Sequence, residues 1–224
     1  AVDDPAVAHQ YLGADCARIA DGQHPGLALH LDQREQRSQA DLRQEQRKKR
    51  AELFKRSTSE IYVAASRHFL QGITIPSGGV IAGYWPLKDE FDIRPLLEGL
   101  AAQGGLLALP VVAGDQGRLL FREWAPGAPL APAGFGTLGP RENAPEVLPD
   151  LIITPLLAFD RRGCRLGYGG GFYDRSLTAL RASGKCKLAI GLGFSAKRVQ
   201  QVPVQRARGR GLFARRPRPQ GLPG

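Results

Sequence analysis

Residues 160–175 read Asp160-Arg161-Arg162-Gly163-Cys164-Arg165-Leu166-Gly167-Tyr168-Gly169-Gly170-Gly171-Phe172-Tyr173-Asp174-Arg175. Four glycines (Gly167, Gly169, Gly170 and Gly171) fall within five positions. A backbone of this kind can approach an anion closely and aim its N–H groups at phosphate oxygens, and a helix starting after Gly171 adds a favourable dipole. Arg165 stands before the loop as a phosphate-pairing cation. Asp174 closes it as an oxygen ligand suited to Mg²⁺, and Tyr173 can stack or donate a hydrogen bond. No Gly-Lys-Ser/Thr follows, so the loop is not a P-loop. Gly167-x-Gly169 has the first spacing of a dinucleotide fingerprint, but position 172 is Phe and no strand is expected to run directly into the turn. A glycine cluster alone is equally a plain turn; the flanking Arg, Tyr and Asp favour phosphate chemistry.

The surrounding elements place this loop between a buried strand and a helix. Arg34–Arg56 is dense in charges of both signs, including Asp41, Arg43, Glu45, Arg47, Lys48 and Glu52, and fits a solvated helix with a thin apolar face of Leu42, Leu53 and Phe54. Ser57-Thr58-Ser59-Glu60 reads as a capping box opening a helix to about Gln71. Val80–Trp85, Leu106–Val112, Leu119–Trp124, Leu151–Ile153 and Leu188–Gly191 read as strands. Asp92 can cap a helix that Gly104-Gly105 ends, and another helix runs from Gly171 to about Ala182. Ala125–Pro149 is rich in Pro and Gly and reads as mostly loop. Strands alternating with helices predict a three-layer α/β/α sandwich with a mostly parallel sheet. In such a sheet ligands bind beyond the strands' carboxyl ends.

Composition narrows the function classes. No apolar run approaches the length of a membrane span, and no signal peptide opens the chain, so a cytoplasmic protein is expected. Cys16, Cys164 and Cys186 are odd in number and widely separated, which argues against a disulfide framework and a zinc site; His9, His24, His30 and His68 show no ligand spacing. The net charge of +10 suits anionic substrates, with nucleic acid as the rival partner. Six Arg and no acid lie in residues 205–224, leaving the body at about +4. That tail has one aromatic, Phe213, a poor platform for base stacking. The expected organisation is an extension over 1–33, a domain over 34–204 and a basic tail over 205–224.

The glycine-rich stretch closely resembles the signature of the 5-formyltetrahydrofolate cyclo-ligase (5,10-methenyltetrahydrofolate synthetase) family, a run of the type Arg-Leu-Gly-x-Gly-x-Gly-Phe/Tyr-Tyr-Asp. Leu42-Arg43, Tyr84–Glu90, Phe135-Gly136 to Pro140, and Asp150–Pro155 resemble other family elements, so the likeness spans roughly residues 39–204. The resemblance implies a Rossmann-like domain acting on 5-formyltetrahydrofolate and ATP, with Mg²⁺, as a monomer. ATP phosphorylates the formyl oxygen, and N10 then closes the ring with loss of phosphate. It also implies that Gln39, Arg43 and Arg165, Leu166, Gly167, Tyr168, Gly169, Gly170, Gly171, Phe172 and Tyr173 hold ATP, with Arg165 and Tyr173 catalytic. Asp174 would hold Mg²⁺, and Trp85, Glu90, Phe135 and Tyr168–Phe172 would touch the folate.

Two positions depart from the family pattern. Gln39 stands where the family has Lys, which removes a charge from the nucleotide site. Arg208 stands where a second Mg²⁺-binding Asp is expected, and a cation there repels the metal. The Arg/Gly/Pro tail has the look of out-of-frame coding beginning near Val204. The alternatives to an active cyclo-ligase are therefore a catalytically impaired folate- or nucleotide-binding relic, and an RNA binder acting through the tail.

Overall fold

The computed structural model describes residues 7–11, 39–73, 78–113, 117–186 and 188–203. In chain order the strands are β1 (Val7–Tyr11), β2 (Val80–Ala82), β3 (Leu106–Ala113), β4 (Arg118–Glu123), β5 (Leu130–Pro132), β6 (Leu138–Pro140), β7 (Leu151–Thr154), β8 (Ala158–Phe159), β9 (Arg165–Leu166) and β10 (Leu188–Phe194). The helices are α1 (Gln39–Arg56), α2 (Ser59–Gly72), α3 (Arg94–Ala102) and α4 (Phe172–Ala182). Six strands form one sheet in the order β1-β10-β7-β2-β3-β4, with β5-β6 and β8-β9 as separate two-stranded ribbons. The four central strands are parallel, and β1 and β4 join antiparallel at the edges.

Register explains the three layers. Ile81 pairs with Leu107 and Leu151, and Ala82 with Ala108 and Ile152, so each side-chain row alternates faces together. One face presents Ile81, Leu107, Leu109, Ile153, Ile190 and Leu192 to Tyr62 and Phe69 of α2 and Leu96, Leu97 and Leu100 of α3. The other presents Ala82, Ala108, Ile152 and Ala189 to Leu177 and Leu180 of α4. The small alanines leave room for α4, and the sandwich matches the fold expected from the sequence.

Helix α1 buries Leu42, Gln46 and Arg50, an i, i+4, i+8 stripe that is mostly polar. It packs on the β8-β9 ribbon through Leu42, Leu157, Cys164 and Leu166, and its Leu53 reaches the main core cluster. Ile93, not the expected Asp92, stands at the cap position of α3; Asp92, one residue earlier, accepts a 2.9 Å bond from the Arg94 N–H. Gly104, at φ +81°, ends α3 by donating to Ala101 O while Gly105 donates to Leu100 O.

Several local expectations are corrected. Thr58 occupies the cap position of α2 without a side-chain cap bond. The Ser57 hydroxyl instead donates to Leu53 O at 2.7 Å, closing the end of α1, so no capping box forms. Strand β9 does run into the glycine loop, as a two-residue arm of the β8-β9 ribbon, too short to carry a periodic signal. The 125–149 segment is mostly loop, as expected, and contains the short β5-β6 ribbon. Val7–Tyr11, within the expected extension, pairs along β10 and satisfies that edge's backbone groups. Cys186 is a free buried thiol with its pKa pushed by burial up to about 11.

Candidate active site

The carboxyl ends of β2, β7 and β10 open toward the glycine loop, with α1 crossing above it. Strand β9 delivers Arg165 and Leu166 to the loop's start. Leu166 is buried against Leu42, so only its peptide groups are available to a ligand. Gly169 has φ +108° and Gly171, the cap of α4, φ +68°, conformations that an L side chain strains to adopt. No side chain caps α4, so the first N–H groups of the helix are left for another acceptor.

Helix α1 meets this loop through three arginines on one face. Arg43 Nε donates to Gly167 O at 3.1 Å, and Arg47 donates to Tyr168 O at 3.4 Å. Arg50 donates to the Tyr168 hydroxyl and, at 2.5 Å, to Asp89, with its guanidinium 5.1 Å from the Tyr168 ring centre. Gln39 stands beside Arg43 at the start of α1. Its amide donates to Pro203 O at 2.6 Å, and its oxygen accepts from Arg43 at 2.6 Å, so it orients Arg43 and pins the chain after β10. Arg208 lies outside the described residues.

Arg165 is nearly buried and donates to Asp174 at 2.5 Å; its guanidinium lies 5.6 Å from the Tyr173 ring centre. Burial pushes the Tyr173 phenol well above its ordinary range, with Glu90 adding to the effect. The phenol therefore keeps its proton and can donate a hydrogen bond. Asp174 is 75 % exposed at the start of α4. Among the described residues no group of three or more His, Cys, Asp or Glu side chains gathers around a point. Asp174 therefore fits a metal only as a single carboxylate beside oxygens supplied by a bound phosphate.

Glu90 is buried. One oxygen accepts the Leu87 N–H at 2.8 Å, and the other lies 3.9 Å from Arg50. Burial raises its pKa, with the Leu87 N–H, Tyr168 and Arg50 opposing. Tyr168 is likewise held far above the ordinary phenol range, by burial first and then by Glu90. Glu90, Arg50, Tyr168, Tyr84 and Lys197 line one small cavity. Arg50 Nε and the nearby Gln46 Oε1 are buried without partners among the described residues.

The aromatic candidates divide. Phe135, 76 % exposed at the tip of the β5-β6 ribbon, stands 4.9 Å from the Phe172 ring and so joins the loop. Trp85 instead packs edge-on against Trp124 at 5.7 Å, beneath Arg94. It belongs to the apolar wall beyond β2.

Arg50, Asp89 and Lys197 as site groups escape the sequence reading. For Arg50 the usable signal is its place on the Leu42–Gln46–Arg50 stripe. Lys197 sits in the 3₁₀ turn Ser195–Lys197 ending β10, 1 % exposed, with one long bond of 3.5 Å to Gln46 O. Burial, then Arg50, lowers its pKa to about 7; Asp89 and Glu90 pull the other way. Between about pH 7 and the ordinary lysine value, the unfolded chain holds a proton that the folded chain gives up. Stability should therefore rise with pH across that window, and the full cost of charging the buried amine is present below it. Lys197→Met is expected to stabilise the fold at pH 6 by roughly 2–4 kcal/mol and to flatten this slope. Urea unfolding at pH 6 and pH 9 checks it, and an unchanged slope refutes it.

The profile of the 5-formyltetrahydrofolate cyclo-ligase family matches residues 35–207. A protein of that name from Haemophilus influenzae is 33% identical over 169 residues, 73% of this chain and 89% of that protein. Its namesake from Escherichia coli K12 is 34% identical over 164 residues, 71% of this chain and 89% of that protein. Among solved structures, the Aquifex aeolicus 5,10-methenyltetrahydrofolate synthetase superposes with a TM-score of 0.56 at 27% identity, covering 74% of this chain and 82% of that one. The chain that carries this glycine loop, arginine face and buried Glu90 is therefore a member of the 5-formyltetrahydrofolate cyclo-ligase family.

Proposed function

We propose that this enzyme cyclises 5-formyltetrahydrofolate to 5,10-methenyltetrahydrofolate at the expense of ATP, releasing ADP and phosphate. The observation that carries the reading is Tyr168. Its backbone is part of the glycine loop, and its hydroxyl meets Arg50 beside Glu90. A phosphate cradle and a buried carboxylate therefore lie within one residue's reach, as a reaction joining a nucleotide to a second substrate requires.

The formyl oxygen is a poor leaving group until it bears a phosphoryl group. It attacks the γ-phosphorus, and ADP departs. The N10 lone pair then attacks the activated carbon, phosphate leaves with the formyl oxygen, and the N10 proton is released. In this reading Arg165, Arg43 and the N–H groups of Gly169–Tyr173 hold the phosphates and spread the developing charge. Tyr173 donates one hydrogen bond, and Glu90 holds the folate near its reacting end. Phe135 and Phe172, with Trp85 farther off, offer apolar cover. Asp174 would hold Mg²⁺ accompanying the nucleotide, whose chemistry is charge neutralisation on the transferred phosphoryl. Only Oδ1 of Asp174 is engaged by Arg165, which leaves Oδ2 for the ion. Among the described residues no helix is long and apolar enough to cross a membrane. We place the reaction in the cytoplasm, carried out by a monomer.

Mixing the protein with 5-formyltetrahydrofolate and MgATP is expected to produce the near-ultraviolet absorbance of the methenyl product, only when ATP is present. Binding of both substrates without that absorbance would contradict the reading and leave the impaired relic.

A further inference from the structure

Arg175 lies outside every role assigned above, yet it bonds two separate loops. From the first turn of α4 its side chain curls back. Nε donates to Gly117 O at 2.8 Å, in the turn between β3 and β4, and Nη2 donates to Gly170 O at 2.8 Å, inside the glycine loop. The guanidinium stands 5.3 Å from the Phe172 ring centre, and that ring stands 4.9 Å from Phe135 on the β5-β6 tip. The chain leaves room for the guanidinium at two glycines. A Cβ on Gly117 would lie 2.5 Å from Nη2, and one on Gly171 2.6 Å from Nη1. An exposed arginine committed to two backbone carbonyls on separate loops gains little fold stability. It does fix where those peptides point.

A trans peptide aims its C=O and N–H in opposite directions. Holding Gly170 O therefore turns the Gly171 N–H away from the Arg175 guanidinium. We propose that Arg175 is a positioning residue for the nucleotide: it aims the Gly171 N–H at a phosphate oxygen and fastens Gly117 beside the loop. The inference rests on the nucleotide reading of the loop made above.

Calorimetric binding of MgADP separates the two readings, because it needs no turnover. For wild type and Arg175→Ala, the expected result is a dissociation constant for MgADP weakened about 10-fold or more in the variant. KM for ATP should rise in parallel, KM for 5-formyltetrahydrofolate should stay within about 2-fold, and the melting temperature should hold. Arg175→Lys, which can reach one carbonyl but not fork across two, should recover only part of the loss. Wild-type affinity for MgADP in Arg175→Ala overturns this inference alone, as does an equal rise in both KM values with a lowered melting temperature. Failure of the wild-type protein to bind MgADP overturns it together with the nucleotide reading.

Discussion

Arg50→Met is expected to destabilise the fold by about 3–5 kcal/mol and to abolish most activity. The side chain is 11% exposed, bonds Asp89 at 2.5 Å and stands 3.9 Å from Glu90, which is 4% exposed. Methionine fills the space of the stem but leaves a buried carboxylate without its cation. Coulomb attraction to Arg50 is among the effects that restrain the already raised pKa of Glu90. Without it that pKa climbs further. A carboxyl with a raised folded-state pKa contributes stability that is present at low pH and lost as pH rises through the folded value. The deficit of the variant should therefore be smaller at pH 5 than at pH 8, as chemical denaturation at the two pH values would read. A deficit independent of pH would assign Arg50 a packing role only.

Arg165→Ala should leave stability nearly intact and lower kcat/KM by about 10²–10³-fold. Its partner Asp174 is 75% exposed, so the ion pair itself adds little to the fold. What is lost is a nearly buried cation placed against the glycine loop, where a charge removed from water counts most. Arg165→Lys should restore part of the rate, since a point charge remains but the planar fork does not. A kcat/KM within a factor of about three of wild type in Arg165→Ala would remove Arg165 from the phosphate site.

Much of this was legible in the sequence because it is local. The β-strand runs around Ile81, Leu107 and Ile152 and the α4 helix after Gly171 follow from apolar periodicity and glycine punctuation. The loop's flanking Arg165 and Asp174 are near neighbours in sequence, and they do pair. What escaped the sequence is non-local. Gln39 bonds Pro203, 164 positions away, because the chain after β10 returns beneath α1. Arg50 looked like one more charge on a solvated helix; only docking of α1 on the β8-β9 ribbon turns it inward. Lys197 becomes buried for the same reason. The β5-β6 and β8-β9 ribbons have strands of two or three residues, too short for any period to register.

The most direct test of the proposed chemistry follows the formyl oxygen. Turnover of 5-formyltetrahydrofolate labelled with ¹⁸O in the formyl group, in unlabelled water with MgATP, should place one ¹⁸O in each phosphate released, because that oxygen leaves bonded to phosphorus. Unlabelled phosphate released in step with the methenyl product would contradict phosphorylation of the formyl oxygen, and with it the role given to the glycine loop and Arg165.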